Sequence, residues 1–460
     1  MNSGIQVGLS SLEITPPPGL PMAGFGARNL PSVGVHDQLY VRALTVSGDE
    51  PEAGETALVV IDLISLAPRH TTAIRESIER EVGIPAAAVM VATTHTHSGP
   101  ETNERDQPST EIRDYVKRLC ELAVRCVADA AKSKVPARML MDFGHEPTVG
   151  KNRRLPGGVM DPAVPTIRIE NEVGRVIGVM CCYACHPVTL GPDNRLITAD
   201  YPGAVVRALE AVYPESVALF VTGCAGQINT GHVAEASLST CPSEVRSFRE
   251  MTRLGRAIAG AAVQASEHAA GPGGKPRATA PSPGTHGQVH AATIRVAAPR
   301  RQQDEPDELR ATATKWRRQA TDLAKGPKAT PTESERLLRW AAWADHMAAT
   351  SPHPATLPLD VTSFRWGDIR LVGLPGEPFV EFGLEIRQRS SADVIVMGYT
   401  NGCPGYVPHR SAYPDGGYEV LHAHRAYGEP SAFAPEAGER LVEAALQGIE
   451  MLGPFQVDPK

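Results

Sequence analysis

The segment ATTHTHSGPE places His95 and His97 two residues apart, after the apolar run Val89-Met90-Val91-Ala92 and before Gly99-Pro100. Imidazoles bind borderline-soft metals through a neutral nitrogen and carry protons near neutral pH. The apolar run reads as the end of a buried strand, which Gly99-Pro100 closes. Residues i and i+2 of a strand face the same way, so both rings are expected to project together where the strand leaves its sheet. Such a pair can hold a metal, join one ligand to one proton carrier, or sit there as satisfied polar groups. Its partners decide which.

Four further places repeat the pattern of an apolar strand ending abruptly in polar residues and glycine. CCYACHPVTLG presents His186, LVGLPGEPFVEFG presents Glu377, and LFVTGCAGQINTGH presents Gln227, Asn229 and His232. NGCPGYVPHRSAYPDGGYEV presents Tyr406, His409, Tyr413 and Tyr418. Loops at the edge of an α/β sheet converge, so ligands from separate strand ends can meet there. Two imidazoles and a carboxylate suit zinc with one position left open. Asp62 could orient a ligand histidine or cap a helix, and Asp200, ahead of a helical run, reads as an N-cap. His36 and His145 receive no role; His232 and His409 could line a pocket.

The elements that must position these residues alternate between short β-like runs and helical stretches. ALTVSG, ETALVVIDLISL, Ala87–Thr93, 137–146 and SVALFVTG read as strands, and TIRIENEVGRVIGVMCCYACH reads as a hairpin ending at His186. Helical spacing marks 68–82, 109–132, 200–212 and about 243–267. The mixture predicts an α/β fold, a layered mixed β-sheet core flanked by helices. GPGGKPRATAPSPGTHG, residues 271–287, is a Pro/Gly-rich connector. Beyond a strand near 289–297, residues 304–349 turn helix-rich and charged, which predicts a helical hairpin insertion within 300–350 anchored by Trp316, Trp340 and Trp343. The strand-like DVTSFRWGDIRLVGLPGE is expected to complete the same core, giving a single domain over 1–460.

The chain carries 45 basic and 52 acidic residues, a net charge of −7, which argues against a nucleic-acid or anionic-membrane surface. The expected partner is a small molecule, and a homo-oligomer is compatible with the composition. The eight cysteines mostly lie in apolar segments, and CCYAC has no second CxxC, so buried reduced thiols are expected rather than a disulfide framework. MNSGIQVGLSSLEITPPPG has no basic segment followed by an apolar one, and no apolar run reaches the roughly 20 residues that span a bilayer. A cytoplasmic protein without membrane insertion is expected.

Taken in order, VGLSSLEITPPPGLPMAGFG, VHDQLYVRALTV, VVIDLISL, ATTHTHSGPE, the GKNRR turn, CYACHPVTLG, GCAGQINTG, LPGEPFVEFG and GYVPHRSAYPDGGYE resemble the catalytic domain of the neutral ceramidase family. That family comprises zinc-dependent hydrolases of N-acylsphingosine amides. The resemblance covers about residues 5–425, apart from the stretch around 271–350. It implies Zn2+ as cofactor, held by His95, His186, Glu377 and Tyr406. It implies that His97 faces substrate, that Arg153 lies near the scissile carbonyl, and that Tyr418, twelve residues after Tyr406, stands on the oxyanion side. Read from the residues alone, Arg153 could instead pair with a surface carboxylate and Tyr418 could be an ordinary loop aromatic.

Two departures bear on the chemistry. The family's GDVSPN loop carries a serine where this chain has Asn229, and Gln227 replaces the acidic residue. Asparagine can orient a substrate by hydrogen bonds but cannot act as a nucleophile. With the sequence ending near residue 460, the family's immunoglobulin-like domain and secretory leader are expected to be missing. The expected activity is therefore zinc-dependent hydrolysis of a carboxamide bond in a small soluble molecule, with an ester or lactone hydrolase, a metal-dependent lyase or isomerase, and a non-catalytic binder as alternatives. The HxHxDH of metallo-β-lactamases is absent, since Ser98-Gly99 follows His97.

Overall fold

The computed structural model describes residues 4–48, 54–102, 109–233, 245–271, 277–278, 288–325, 331–390 and 393–453. Most of the 271–287 connector and Cys241 lie outside them. Among the described residues, alternating and continuous apolar runs build two large sheets, beside three two-stranded ladders. The larger contains β1 (Ile5–Glu13), β2 (Tyr40–Gly48), β3 (Glu55–Ile61), β4 (Val89–Thr93), β5 (Val135–His145), β6 (Ala163–Asn171), β7 (Val176–Tyr183) and β8 (Val217–Thr222). Their order is β8-β7-β6-β5-β1-β2-β3-β4, with Arg277–Ala278 paired to β5. The sheet is mixed: β3 with β4 and β7 with β8 run parallel, the other neighbours antiparallel. Parallel neighbours need a crossover, which α1 (Pro68–Val82) and α3 (Asp200–Val212) supply.

The strands after the connector share the core but form a sheet of their own. β9 (Val289–Pro299), β10 (Thr356–Trp366), β11 (Ile369–Gly373) and β12 (Val394–Met397) follow one another in space, the last pair parallel across α7 (Val380–Arg389). Its Phe364, Trp366, Leu371, Ile395 and Met397 pack against Leu44, Leu58, Met90, Met180 and Leu219 of the larger sheet. Helices cover the outer faces: α1 and α2 (Thr110–Lys132) over one part of the larger sheet, α3 and α4 (Phe248–Ala270) over another. α7 and α9 (Glu436–Met451) cover the smaller sheet. The result is the α/β layering expected from the sequence.

Three strand ends meet at one place. Thr222 Oγ1, at the end of β8, donates to the carbonyl of Thr94 at 2.8 Å, just past β4. Beyond β12, the main-chain N–H of Gly398 donates to Thr222 O, and that of Thr93 to Tyr399 O. The helix-rich insertion is a hairpin of α5 (Pro306–Ala324) and α6 (Pro331–Thr350), with α8 (Tyr418–Leu421) a single turn in the loop beneath it. None of the described helices is long and apolar enough to cross a membrane. Every described cysteine is a free thiol.

Candidate metal and hydrolase site

His95 does not ride on the strand. β4 ends at Thr93, and His95 adopts a left-handed backbone with φ 66°. A non-glycine residue there is strained, and the surroundings hold it: its N–H donates to Leu63 O at 2.8 Å and its Nδ1 to Ile64 O at 2.7 Å. The two rings thus converge through a loop, not through strand alternation, with their Nε2 atoms 3.3 Å apart.

His186 follows β7 in the same manner, with its N–H on Ile228 O and its Nδ1 on Ala225 O at 2.6 Å. His97 Nδ1 lies 2.9 Å from Gly24 O, and Phe25 packs its ring 5.2 Å from the imidazole. Gly24 has φ 105°, and a Cβ there would stand 2.7 Å from the His97 ring, so the loop can come this close only with glycine. Glu377 and Tyr406 are brought side by side by a two-strand parallel ladder that pairs them directly.

Each imidazole gives Nδ1–H to a carbonyl, which leaves a bare lone pair on Nε2. Those lone pairs face further acceptors. His95 Nε2 and His186 Nε2 stand 3.2 and 2.8 Å from Glu377 Oε2, and His186 Nε2 is 3.3 Å from the Tyr406 hydroxyl. The three histidines offer nitrogens all within 4.8 Å of one another. Burial pushes His186 down to about 4, despite the Glu377 carboxylate, and drives His97 well below its usual range. Burial raises the Glu377 carboxyl, but His95 and His186 beside it reverse this and hold it well below the usual carboxylate range. An anionic carboxylate buried among imidazole nitrogens calls for positive charge between them, carried by a proton or by a metal ion. The donor set fits a zinc-like ion.

Around this cluster the cations and tyrosines are tied down. Arg153 Nη2 donates to the Tyr406 hydroxyl and to Gly226 O, both at 3.0 Å. Arg153 does pair with a carboxylate, but a buried one: Glu419 accepts from Arg153 Nε at 2.9 Å and from Arg154 Nη1 at 2.6 Å. The Tyr418 ring meets the Tyr406 ring edge-on at 5.9 Å and remains 39% exposed, so its outer edge borders solvent.

The other polar residues singled out in the sequence are held in the surrounding turns. The Asn229 amide is engaged in its own turn, accepting from the N–H groups of Gly231 and His232 and donating to His232 O. Its carbonyl is thereby taken up within the turn. Gln227 likewise holds structure, bonding Val380 N and Glu381. Asp62 neither orients a histidine nor caps a helix; it accepts from Arg42 and from Tyr40 N. Asp200 is not the N-cap of α3, which begins after Ala199 without a side-chain cap. Its carboxylate accepts from the adjacent Tyr201 N at 2.6 Å and from Thr189 N and Leu190 N, pinning the loop that follows His186. His409 caps a short turn through Ser411 N, and His36 stacks on Phe248.

Three functional neighbours carried no spacing signal. Tyr427 donates to Glu377 Oε1, the Tyr399 ring lies 4.2 Å from that of His95, and Glu419 anchors both arginines. The run of aromatic and acidic residues after Tyr406 could have drawn attention to Glu419 and Tyr427, and nothing comparable marked Tyr399.

A model of the neutral/alkaline non-lysosomal ceramidase N-terminal region matches residues 5–248, more than half of the 460. Among solved structures, the neutral ceramidase from Pseudomonas aeruginosa superposes with a TM-score of 0.71 at 18% identity, covering 99% of this chain and 76% of its own. A structure described as ceramidase complexed with C2 gives 0.71 and 18% over 99% and 77%. The likeness to these two structures is one of fold.

Proposed function

Since the chain belongs to the neutral/alkaline ceramidase family, whose members are amide hydrolases, we propose that it is a zinc-dependent hydrolase cleaving the carboxamide bond of an N-acyl amine. The observation that carries this reading is the meeting of His95 Nε2, His186 Nε2 and Glu377 Oε2 beside Tyr406. His95, His186, Glu377 and Tyr406 are assigned as the metal-holding residues. His97, the most exposed of the three histidines, is left facing the cleft.

A bound zinc would supply a Lewis acid for the carbonyl and lower the pKa of water to about 7. The chain's own groups do the rest. Arg153, fixed by Glu419, presents a permanent positive charge beside Tyr406, where negative charge on the substrate oxygen would develop. Tyr418 contributes a hydroxyl at the open edge of the same site. His97, neutral and held by Gly24, can take a proton at Nε2 and pass it to the departing nitrogen. With the carbonyl of Asn229 occupied, no part of this scheme needs a side-chain nucleophile at that position.

A substrate with an apolar acyl chain is favoured over a fully polar small molecule by one observation. Leu30, Val33, Leu155, Val159, Val233 and Leu421 are exposed on the loops that also carry Arg28, Arg153, His232 and Tyr418. Chelator-treated protein should lose hydrolysis of short-chain N-acyl amines and regain it with added zinc. Full turnover in metal-free protein would overturn the proposal.

A further inference from the structure

The α5–α6 hairpin touches both sides of the site. It has a small core of its own, Leu309, Ala313, Ala341, Ala344, Met347 and Ala348, which keeps the two helices together. Its outward aromatics grip the segment after Tyr418. The Arg425 guanidinium lies 5.1, 4.7 and 5.5 Å from the rings of Trp316, Trp340 and Trp343. Trp343 Nε1 donates to Glu429 O at 3.0 Å, Trp343 packs edge-on against His424, and Trp340 lies 5.6 Å from the His422 ring. Between these anchor points the segment carries Tyr427, the donor to Glu377, and just before them Glu419, the anchor of Arg153.

On its other side the hairpin reaches the amino-terminal loop. Arg339 Nη2 donates to Gly26 O at 2.8 Å. That loop supplies Gly24 O to His97 Nδ1, Phe25 to the His97 ring, and Arg28 Nη2 to His97 O at 2.6 Å. Two loops far apart in sequence, one setting His97 and one setting Glu377 and Arg153, are thus fastened to one rigid pair of helices.

We propose that Arg425 and Arg339 are positioning residues of the active site, through which the α5–α6 hairpin holds the His97 loop and the Glu377/Arg153 loop at a fixed separation. Surface cation–π contacts are individually weak, but a guanidinium shared by three indoles is largely withdrawn from water and correspondingly stronger. A hydrolytic site tolerates little displacement between its proton carrier and its charge-stabilising groups, and shifts near 1 Å can cost on the order of 100-fold. The consequence for turnover rests on the hydrolase reading above; the mechanical coupling does not.

The test uses the full chain with Arg425→Met, Arg339→Met and the milder Trp343→Phe, each followed by hydrogen–deuterium exchange and steady-state kinetics on a short-chain N-acyl amine. Arg425→Met should speed exchange in 416–429 and also in 22–29, which it does not touch. It should lower kcat on the order of 10- to 100-fold with KM nearly unchanged, and Arg425→Lys should restore part of it. If Arg425→Met fails to fold, Trp343→Phe must give the same two-loop exchange pattern on a smaller scale. Faster exchange confined to 416–429 would overturn the proposal, as would an unchanged kcat in a variant whose Tm alone falls. Should the wild type hydrolyse none of the amides, the functional reading fails while the exchange pattern still decides the coupling.

Discussion

At Arg153 one guanidinium serves Tyr406, Gly226 and Glu419, and each acceptor removes a degree of freedom from it. Burial lowers its affinity for the proton, but Tyr406 and Glu419 outweigh that and keep the charge fixed. Replacing it with methionine should cost about 2.7–4 kcal/mol of transition-state stabilisation, read as a fall of 10²–10³ in kcat on an N-acyl amine. Glu419→Gln keeps the shape but leaves two arginines sharing a neutral amide; kcat should fall with KM nearly unchanged and the metal still bound. Loss of metal in Glu419→Gln would instead make it part of the metal-holding set. At this scale the histidines, Glu377 and Tyr406 were legible, because strand ends followed by glycine announce them. Tyr427 and Glu419 were not, since a tyrosine or glutamate in a polar loop acquires its role only from a partner distant in the chain.

Elements position these groups by closing loops tightly. Gly24→Ala forces a Cβ onto the His97 ring at a backbone angle that alanine rarely adopts, so it should impair turnover severely and lower Tm as well. Asp200 makes a different case. Burial raises its carboxyl from 3.8 to about 6 against the hydrogen bonds from Thr189 and Leu190. A folded-state pKa above the unfolded one means that its contribution to stability is full below 3.8 and declines as pH rises through 6. The loss is on the order of 3 kcal/mol. Asp200→Asn should flatten the Tm–pH curve between those values, as differential scanning calorimetry would record; an unchanged curve would reject the assignment. Helix positions were read well because apolar spacing reports the buried face, and 68–82 and 200–212 coincide with α1 and α3. The left-handed turn at His95 was hidden, because histidine gives no sign of a backbone more often taken by glycine.

Across the whole molecule, two sheets sharing one apolar interior bring the ends of β4, β8 and β12 together, and the site lies where they meet. The sequence disclosed the layers, but not that its later strands form a separate sheet, since apolar runs specify burial and not the neighbour they pair with. The exposed apolar side chains on the surrounding loops predict that kcat/KM rises as the acyl group of an N-acyl amine lengthens from two to about eight carbons. Indifference to chain length would favour a small polar substrate. The most direct measurement is the metal content of the purified protein. One zinc per chain should persist through gel filtration in the wild type and be absent in Glu377→Ala, with hydrolysis lost alongside it. A Glu377→Ala protein that keeps its zinc and its turnover would contradict the account at its centre.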